Sequence, residues 1–432
     1  MNTFFITTLG CKVNSYEIDA IKDELINNGY VYTNELEADY IIINTCCVTN
    51  TAASKSRQKI NSYHKLNPNA SIIVMGCYVQ GFEQEAKQIE GVKLLIGTKD
   101  RNKIVEYIDQ TSTQISLVRD VKEFNKYENL TISSKHENTR AYLKIQDGCN
   151  NFCSYCIIPY VRGTIKSRDK QDVIEEAKRL LSLGYKEIVL TGIHTGSYGK
   201  DLSNYTFSML VKELLELEGL YRLRISSIEE SEIDDQLIEL LQTNDKLAKH
   251  LHIPLQAGSD HVLKLMNRKY DLNTFINNVK SIQDKLPEVA ITTDVIVGFP
   301  QESEEDFLDT LNTCKRIGFS KIHVFPFSSR KGTVASKMSG QINGIIKKDR
   351  AKQLIQLSNE LGYKYNQQYV NKDVEVLIEE KVKDYYVGHT TNFIKVLINT
   401  TKEIEKNSII KVKVIKADID HVLAMEDSYE TK

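Results

Sequence analysis

Gln146-Asp147-Gly148-Cys149-Asn150-Asn151-Phe152-Cys153-Ser154-Tyr155-Cys156 decides how the rest of this 432-residue chain is read. Its three thiols, spaced C-x3-C-x2-C, follow directly on the β-rich run Tyr142 to Ile145. Three thiolates converging from one tight loop can hold three irons of a 4Fe-4S cube and leave the fourth iron open to a substrate or cofactor. A structural zinc site is the rival, and it needs a fourth Cys or His to close its tetrahedron. None stands at conventional spacing beside the trio; His136, ahead of the strand, and His194, on a later loop, remain open as fourth ligands.

Downstream of this loop the chain repeats one pattern. Candidate strands at Tyr142 to Ile145, Glu187 to Thr191, Arg222 to Ser226, Leu251 to Leu255, Thr292 to Val297 and Lys321 to Phe325 alternate with helical patterns such as Asp172 to Leu183 and Glu304 to Ile317. Six such units predict a partial (β/α)6 barrel over residues 139–365, with its chemistry at the carboxyl ends of the strands.

Upstream, residues 1–122 read as a parallel α/β sheet: Phe4 to Leu9, a helix near Ser15 to Asn27, Tyr40 to Ile43, a helix near Thr51 to His64, then Ser71 to Met75. Cys11, Cys46 and Cys77 each fall just past the carboxyl end of one of these strands, where loops of neighbouring parallel strands meet. Three separated cysteines are therefore expected at one point, and a second cluster with one free iron follows. Cysteine also fills cores; Cys314, inside an amphipathic helix, is read that way. Cys47 can replace its neighbour Cys46 as ligand, and Cys46 is preferred.

Residues 123–138 turn polar and aperiodic, which predicts a linker. Residues 366–432 carry the β-rich runs Val374 to Ile378, Phe393 to Leu397 and Ile409 to Ile415 without a helical period, which suits a small β-barrel. The expected class is α/β: an amino-terminal parallel sheet domain, a central partial barrel and a carboxyl-terminal β-barrel.

Composition bounds the function. With 41% hydrophobic and 26% charged residues the chain is neither a disordered tail nor a coiled coil. No run of roughly 18 apolar residues and no leader-like start occurs, so a cytoplasmic protein without a membrane partner is expected. A formal net charge of −2 gives no global pull on a polyanion, which must be held by local patches. Eight cysteines, unevenly clustered, are too sparse for a disulfide scaffold and read as metal ligands or redox groups.

With both cysteine sets in view, the sequence resembles the radical S-adenosylmethionine methylthiotransferases through all three segments. The stretch from Gln146 through Pro159-Tyr160-Val161-Arg162-Gly163 is similar to their radical-cluster motif, the Cys11, Cys46, Cys77 arrangement to their amino-terminal domain, and residues 366–432 to their TRAM-type RNA-binding barrel. Thr8-Leu9-Gly10-Cys11-Lys12-Val13-Asn14, His252-Ile253-Pro254-Leu255-Gln256 and the segment from His323 through Ser328-Ser329-Arg330-Lys331-Gly332-Thr333 most resemble the branch acting on threonylcarbamoyladenosine in tRNA. The isopentenyladenosine branch and the ribosomal-protein branch fit less well.

The resemblance implies two 4Fe-4S clusters, S-adenosylmethionine, a tRNA substrate and a low-potential electron donor; a monomer is expected. The cluster on Cys149, Cys153 and Cys156 would bind S-adenosylmethionine through its amino and carboxylate groups and release a 5′-deoxyadenosyl radical. That radical would take hydrogen from carbon 2 of the adenine, and the cluster on Cys11, Cys46 and Cys77 would present the sulfur. Tyr155 is expected to pack on the cofactor's adenine. Gly192, Ser227, Glu229, Gln256 and Asp294 occupy the strand-end region where the cofactor would lie. Arg162, Lys166 and Arg168 neutralise the cofactor carboxylate or an RNA phosphate, or else form a solvated charge cluster. Lys55, Arg57 and Lys59 either clamp phosphate or are ordinary surface charge.

The carboxyl-terminal segment is not basic, with 10 Lys against 12 acidic residues from Gln367 onward. Lys406, Lys411, Lys413 and Lys416 nevertheless run without an intervening acid, and alternation with Val412 and Val414 predicts one cationic strand face. Phe393, Tyr385 and Tyr386 either stack on bases or fill the core. Three positions depart from the family pattern: Gln301 where Gly is usual, Glu230 where Pro is common and Asn407 where a turn Gly is expected. Two other functions remain: methylthiolation of isopentenyladenosine or of a ribosomal-protein aspartate, and a metal-stabilised RNA-binding module without catalysis.

Overall fold

Tyr40-Ile41-Ile42-Ile43 and Ile72-Ile73-Val74-Met75 are apolar without alternation, as befits strands covered on both faces of a parallel sheet. In the computed structural model, which describes residues 2–110 and 113–425, both runs lie at the centre of such a sheet, buried throughout except for the half-buried Tyr40. Its strands are β1 (Thr3–Thr8), β2 (Val31–Tyr32), β3 (Tyr40–Thr45), β4 (Ser71–Gly76), β5 (Val92–Ile96) and β6 (Ile115–Ser116). They pair in the order β2-β1-β3-β4-β5-β6, every pair parallel. Adjacent β1, β3 and β4 are the three strands that cysteines follow.

The central unit contains β7 (Arg140–Lys144), β8 (Gln146–Asp147), β9 (Lys166–Ser167), β10 (Glu187–Thr191), β11 (Arg222–Ile225), β12 (His250–His252), β13 (Ala290–Val297) and β14 (Lys321–Pro326). β8 and β9 form an antiparallel clip across the base of the cysteine loop. The others make two parallel sheets, β11-β10-β7 and β12-β13-β14, joined by bridges between Leu223 and Leu247 and between Ser227 and His252. This is the expected six-unit partial barrel. The helix Glu304–Ile317 occupies the expected range: Ser303 and Asp306 close a capping box at its start, and Gly318, at φ 74°, ends it. Leu251 to Leu255 pairs only over His250–His252, because Pro254 has no N–H to give the ladder and Gln256 turns into the left-handed region at φ 65°.

A 24-residue helix, Gly344–Gln367, leads out of the array. Beyond it, β15 (Asp373–Val382), β16 (Tyr385–His389), β17 (Lys395–Asn399), β18 (Ile409–Ala417) and β19 (Val422–Met425) close a barrel in the order β15-β16-β17-β19-β18. The run expected from Phe393 starts as a strand only at Lys395, since Phe393 itself has φ 66°. Residues 123–138, between the first sheet and the array, are held by packing. Phe124, Leu130 and Ile132 are buried, the Ile132 N–H donates to Glu176 at 2.9 Å, and the N–H groups of Ser133 and Ser134 donate to Asp23 at 2.6 and 2.9 Å. Among the described residues no helix is long and apolar enough to cross a membrane.

The amino ends of β10 and β11 seat the carboxyl-terminal barrel. Glu187, buried at the first position of β10, accepts from Arg224 Nε at 2.6 Å and Arg222 Nη1 at 3.0 Å. The same guanidiniums donate onward to the carbonyls of Thr391, Thr390 and His389 at 3.1 to 3.2 Å, and the Phe393 ring stacks on His389 at 4.7 Å. Burial pushes the Glu187 carboxyl up, yet Arg224 and Arg222 outweigh it and hold it down at about 2. Glu187→Ala strands two buried cations and is expected to cost about 3–5 kcal/mol. The urea midpoint should fall and limited proteolysis should speed up within residues 368–372; an unchanged midpoint with unchanged cleavage would rule out this pairing as the barrel's seat.

Candidate functional site

Because β1, β3 and β4 are neighbours and parallel, the loops after them leave the same edge of the sheet. Cys11 immediately precedes the helix Lys12–Asn27, makes no side-chain capping bond and is exposed, whereas Cys46 and Cys77 are buried. Two glycines let these loops meet. A Cβ on Gly10, at φ 130°, would lie 3.0 Å from Cys46 Cβ, and one on Gly76, at φ 96°, would lie 2.3 Å from Asn44 Oδ1. After burial, Cys11 pushes the Cys46 thiol up, and Cys46 and Cys11 do the same to Cys77. Burial pushes the Cys77 thiol up to about 12 against the pull of Arg162, whose Nε donates to Cys77 Sγ at 3.2 Å. Cys47 donates its S–H to the Cys77 carbonyl at 3.2 Å inside an apolar cluster.

The second set sits on the loop after β8. The Cys149 N–H donates to Gly163 O at 3.0 Å, the Asn151 N–H to Cys149 Sγ at 3.4 Å and the Ile158 N–H to Cys156 Sγ at 3.4 Å. Arg268 Nη1 reaches Cys153 Sγ at 3.6 Å. The turn carrying Arg268 also holds the loop, because the Ser154 N–H and hydroxyl donate to the carbonyls of Met266 and Leu265 at 2.9 and 2.7 Å. His194 Nδ1 stands 3.7 Å from Cys149 Sγ, and its Nε2 pairs with Glu232 at 3.0 Å. Burial opposes a charge on this ring, but the hydrogen bonds it would donate to Cys149 and Glu232 outweigh that and lift His194 to about 9. His136 lies elsewhere, between Asp19 and Asp23. Among the described residues no three Cys, His, Asp or Glu side chains close around a point as a single ion requires. One apolar cluster contains Cys77, Ile157, Ile158 and Val161 and carries Cys149 and Cys156 at its edge, so the two thiol sets share a wall.

Residues 143–314 match the family model described as Radical SAM superfamily, and residues 3–97 match the one described as Uncharacterized protein family UPF0004. The chain is 46% identical, over 96% of its length and 94% of the relative's, to the threonylcarbamoyladenosine tRNA methylthiotransferase MtaB of Bacillus subtilis (strain 168). The chain belongs to the radical S-adenosylmethionine tRNA methylthiotransferases. It is also 38% identical to the tRNA-2-methylthio-N(6)-dimethylallyladenosine synthase of Clostridium perfringens (strain SM101 / Type A), over 88% of this chain and 87% of that one. The solved structure of the radical S-adenosylmethionine methyltransferase TsrM from Kitasatospora setae shares the fold at 11% identity with a TM-score of 0.58, covering 75% of this chain and 73% of that one. A module without catalysis is thereby set aside.

Membership in this methylthiotransferase family implies a 4Fe-4S cluster and S-adenosylmethionine, and the residues present fit both. Clustered thiols meet backbone N–H groups and buried guanidiniums, donors that stabilise metal-bound thiolate. Beside Cys153 opens a cavity of about 540 Å³ lined by His194, Glu229, Glu230, Glu232, Arg268 and Tyr270, among others. Of the residues expected around the cofactor, Glu229 lines this cavity and pairs with Arg268. Gly192 packs against Gln146, whose Oε1 would lie 2.9 Å from a Cβ there. Ser227 and Gln256 sit at the strand ends, bridged to His252 and Val295. Asp294 pairs with His252 at 3.3 Å. The Tyr155 ring stands edge-on to Phe299 at 6.4 Å.

Arg168 is not brought to this group. Its guanidinium is buried against Glu176 and the Tyr16 hydroxyl. Lys166 is likewise turned inward, donating to the carbonyls of Arg162 and Thr164 at 2.8 and 2.9 Å, so none of the trio Arg162, Lys166 and Arg168 is solvated charge. Lys55 is exposed, Arg57 pairs with Glu85 at 3.7 Å and Lys59 lies over the Tyr63 ring at 4.5 Å. On β18, Lys411, Lys413 and Lys416 are exposed while Val412 and Val414 are buried. Tyr386 fills the barrel core, Tyr385 is half-buried and Phe393 packs at the seam. Sequence reasoning gave no role to Arg268; a lone Arg in Met266-Asn267-Arg268-Lys269-Tyr270 carries no spacing signal.

The departures from the family pattern have physical readings. Gln301 and Asn407 have φ of 69° and 70°, the region where glycine is unstrained. Glu230 is 3% exposed, and neither carboxylate oxygen has a partner. Burial first, and Glu229 second, push it from its ordinary 4.5 up to about 7. Between those values the folded chain holds a proton that the unfolded chain releases, so this contribution to stability falls as pH rises through the window. Glu230→Gln, neutral throughout, should gain on the native chain by about 1–3 kcal/mol between roughly pH 5 and pH 8. Denaturant titrations at the two pH values test this, and a pH-independent difference would refute it.

Proposed function

We propose that this enzyme methylthiolates carbon 2 of N6-threonylcarbamoyladenosine at position 37, next to the anticodon of tRNA, with two 4Fe-4S clusters. Cys149, Cys153 and Cys156 hold the cluster that serves S-adenosylmethionine, and Cys11, Cys46 and Cys77 hold the auxiliary one. The observation that carries the reading is the meeting of both thiol sets on one apolar wall, with buried Arg162, just beyond the Cys149 loop, bonded to Cys77 of the amino-terminal set. The 46% identity to the Bacillus threonylcarbamoyladenosine enzyme, against 38% to the dimethylallyladenosine synthase, supports the choice of nucleoside.

Bound at these positions, the clusters supply reductive cleavage of S-adenosylmethionine at one site and an iron-held sulfur at the other. The chain's own residues do the rest. Glu229 and Arg268 line the cavity beside Cys153 that would take the cofactor, and Gly192, Ser227, Gln256, Asp294 and Tyr155, which lie outside its lining, complete the cofactor's surroundings in this reading. Buried walls exclude water, which protects reactive species and strengthens each polar contact. Exposed Lys411, Lys413 and Lys416 on β18 offer a cationic face to RNA phosphates. A low-potential electron donor and a cytoplasmic setting complete the proposal.

Two variants separate the sites. Cys149→Ala is expected to abolish 5′-deoxyadenosine formation, while Cys11→Ala keeps it yet stops thiolation, as read by chromatography and mass spectrometry of tRNA nucleosides from complemented deletion strains. Thiolated nucleoside from both variants, or a methylthio group on isopentenyladenosine or on a ribosomal-protein aspartate instead, would refute the assignment.

A further inference from the structure

The loop after β14 brings a second guanidinium to the auxiliary thiols. Arg330 is 2% exposed, and its Nε and Nη2 are buried without a hydrogen-bond partner. No carboxylate among the described residues forms an ion pair with it. Its place is fixed from both sides. The Thr333 N–H and hydroxyl donate to the Arg330 carbonyl at 3.1 and 2.7 Å. The Asn50 N–H donates to Ser328 Oγ at 3.1 Å and the Asn50 amide to Ser329 O, tying the loop to the turn that follows Cys46 and Cys47. The Cys47 and Cys46 side chains lie within electrostatic reach of Arg330, and a thiolate at either would favour its charge.

A buried cation without a counter-ion is strongly unfavourable, and structures keep one where an anion comes to meet it. At this depth an RNA phosphate is a poor candidate, whereas metal-bound thiolates and sulfide are anions that this corner would itself hold. Neighbouring Arg162 shows the contrast, since it spends its donors on Glu17, Asp147 and Asn14 as well as on Cys77. We propose that Arg330 is a positioning residue of the auxiliary centre, its guanidinium donating to and balancing the negative charge of the sulfur assembled on Cys11, Cys46 and Cys77. The inference rests on the two-cluster reading above.

The test uses the full chain carrying Cys149→Ala, Cys153→Ala and Cys156→Ala together, reconstituted anaerobically with iron and sulfide so that only the auxiliary centre is seen. Iron and labile sulfide are counted, and the midpoint potential is read by electron paramagnetic resonance in a redox titration. Adding Arg330→Gln is expected to shift the midpoint to lower potential or to lose the cluster, because a nearby cation favours the added electron. Arg330→Lys should keep the cluster with an intermediate potential. Full cluster content at an unchanged midpoint in Arg330→Gln overturns the proposal, and so does equal loss of the cluster from both variants, which marks Arg330 as packing alone. Absence of iron from the triple-cysteine background overturns the two-cluster reading itself, and the role of Arg330 with it.

Discussion

One buried ion cluster joins the amino-terminal sheet to the β/α array, and the placement of both thiol sets depends on it. Arg162, one turn beyond the Cys149 loop, bonds Glu17 Oε1 at 2.8 Å, Asp147 Oδ2 at 3.0 Å, Asn14 Oδ1 at 3.0 Å and Cys77 Sγ at 3.2 Å. Glu17 also meets Lys144 at 2.8 Å and Arg101 at 2.5 Å, and Arg101 meets Glu128 at 2.6 Å. Three cations thus face three carboxylates, nearly all out of water. Burial alone would push Glu17 up, yet Arg101, Arg162 and Lys144 hold it well below the usual carboxylate range. Such a network is costly to assemble and more costly to break, since removing one member strands its partners. Its members come from the helix after Cys11, the turn after β5, the end of β7 and both sides of the Cys149 loop, so satisfying it fixes these segments against each other.

That dependence explains why the cysteine geometry needs so little help from the thiols themselves. Asn14, held by Arg162, also accepts from Cys11 at 3.7 Å, so one guanidinium steadies a thiol at each end of the amino-terminal set. The cysteine loop in turn leans on the turn of Met266 and Arg268. Preorganisation of this kind lets cofactors enter a site whose walls are already built.

Much of this architecture is legible in the sequence, for identifiable reasons. Strands covered on both faces leave unbroken apolar runs, so β3 and β4 stand out, and the cysteines after β1, β3 and β4 could be grouped before any pairing order was known. Ser303, Asp306 and Gly318 mark the ends of their helix by local chemistry alone. Other elements are silent because their cause is tertiary. The strands β16 and β19 are short and are fixed by closure of the barrel, Phe393 leaves the strand because its ring fills the seam below β10 and β11, and the polar look of residues 123–138 conceals contacts to Asp23 and Glu176 that no local pattern encodes. Arg168 follows the triad closely in sequence, but just past the clip strand β9 it turns toward Tyr16.

Charge balance separates the residues that hold the fold from those kept for ligands. Arg101, Arg162, Glu17 and Glu187 are buried and matched, which is how a stable interior treats charge. Glu230 and Arg330 are equally buried and unmatched, one beside the cavity at Cys153 and the other beside Cys46. Neither is explained by packing, for an apolar side chain of similar size would serve an interior better. Local rules are broken where function requires it, and these two of the buried groups left without partners fall near the two thiol sets. A buried carboxyl and a buried guanidinium without partners thus accompany the two thiol sets, one at each.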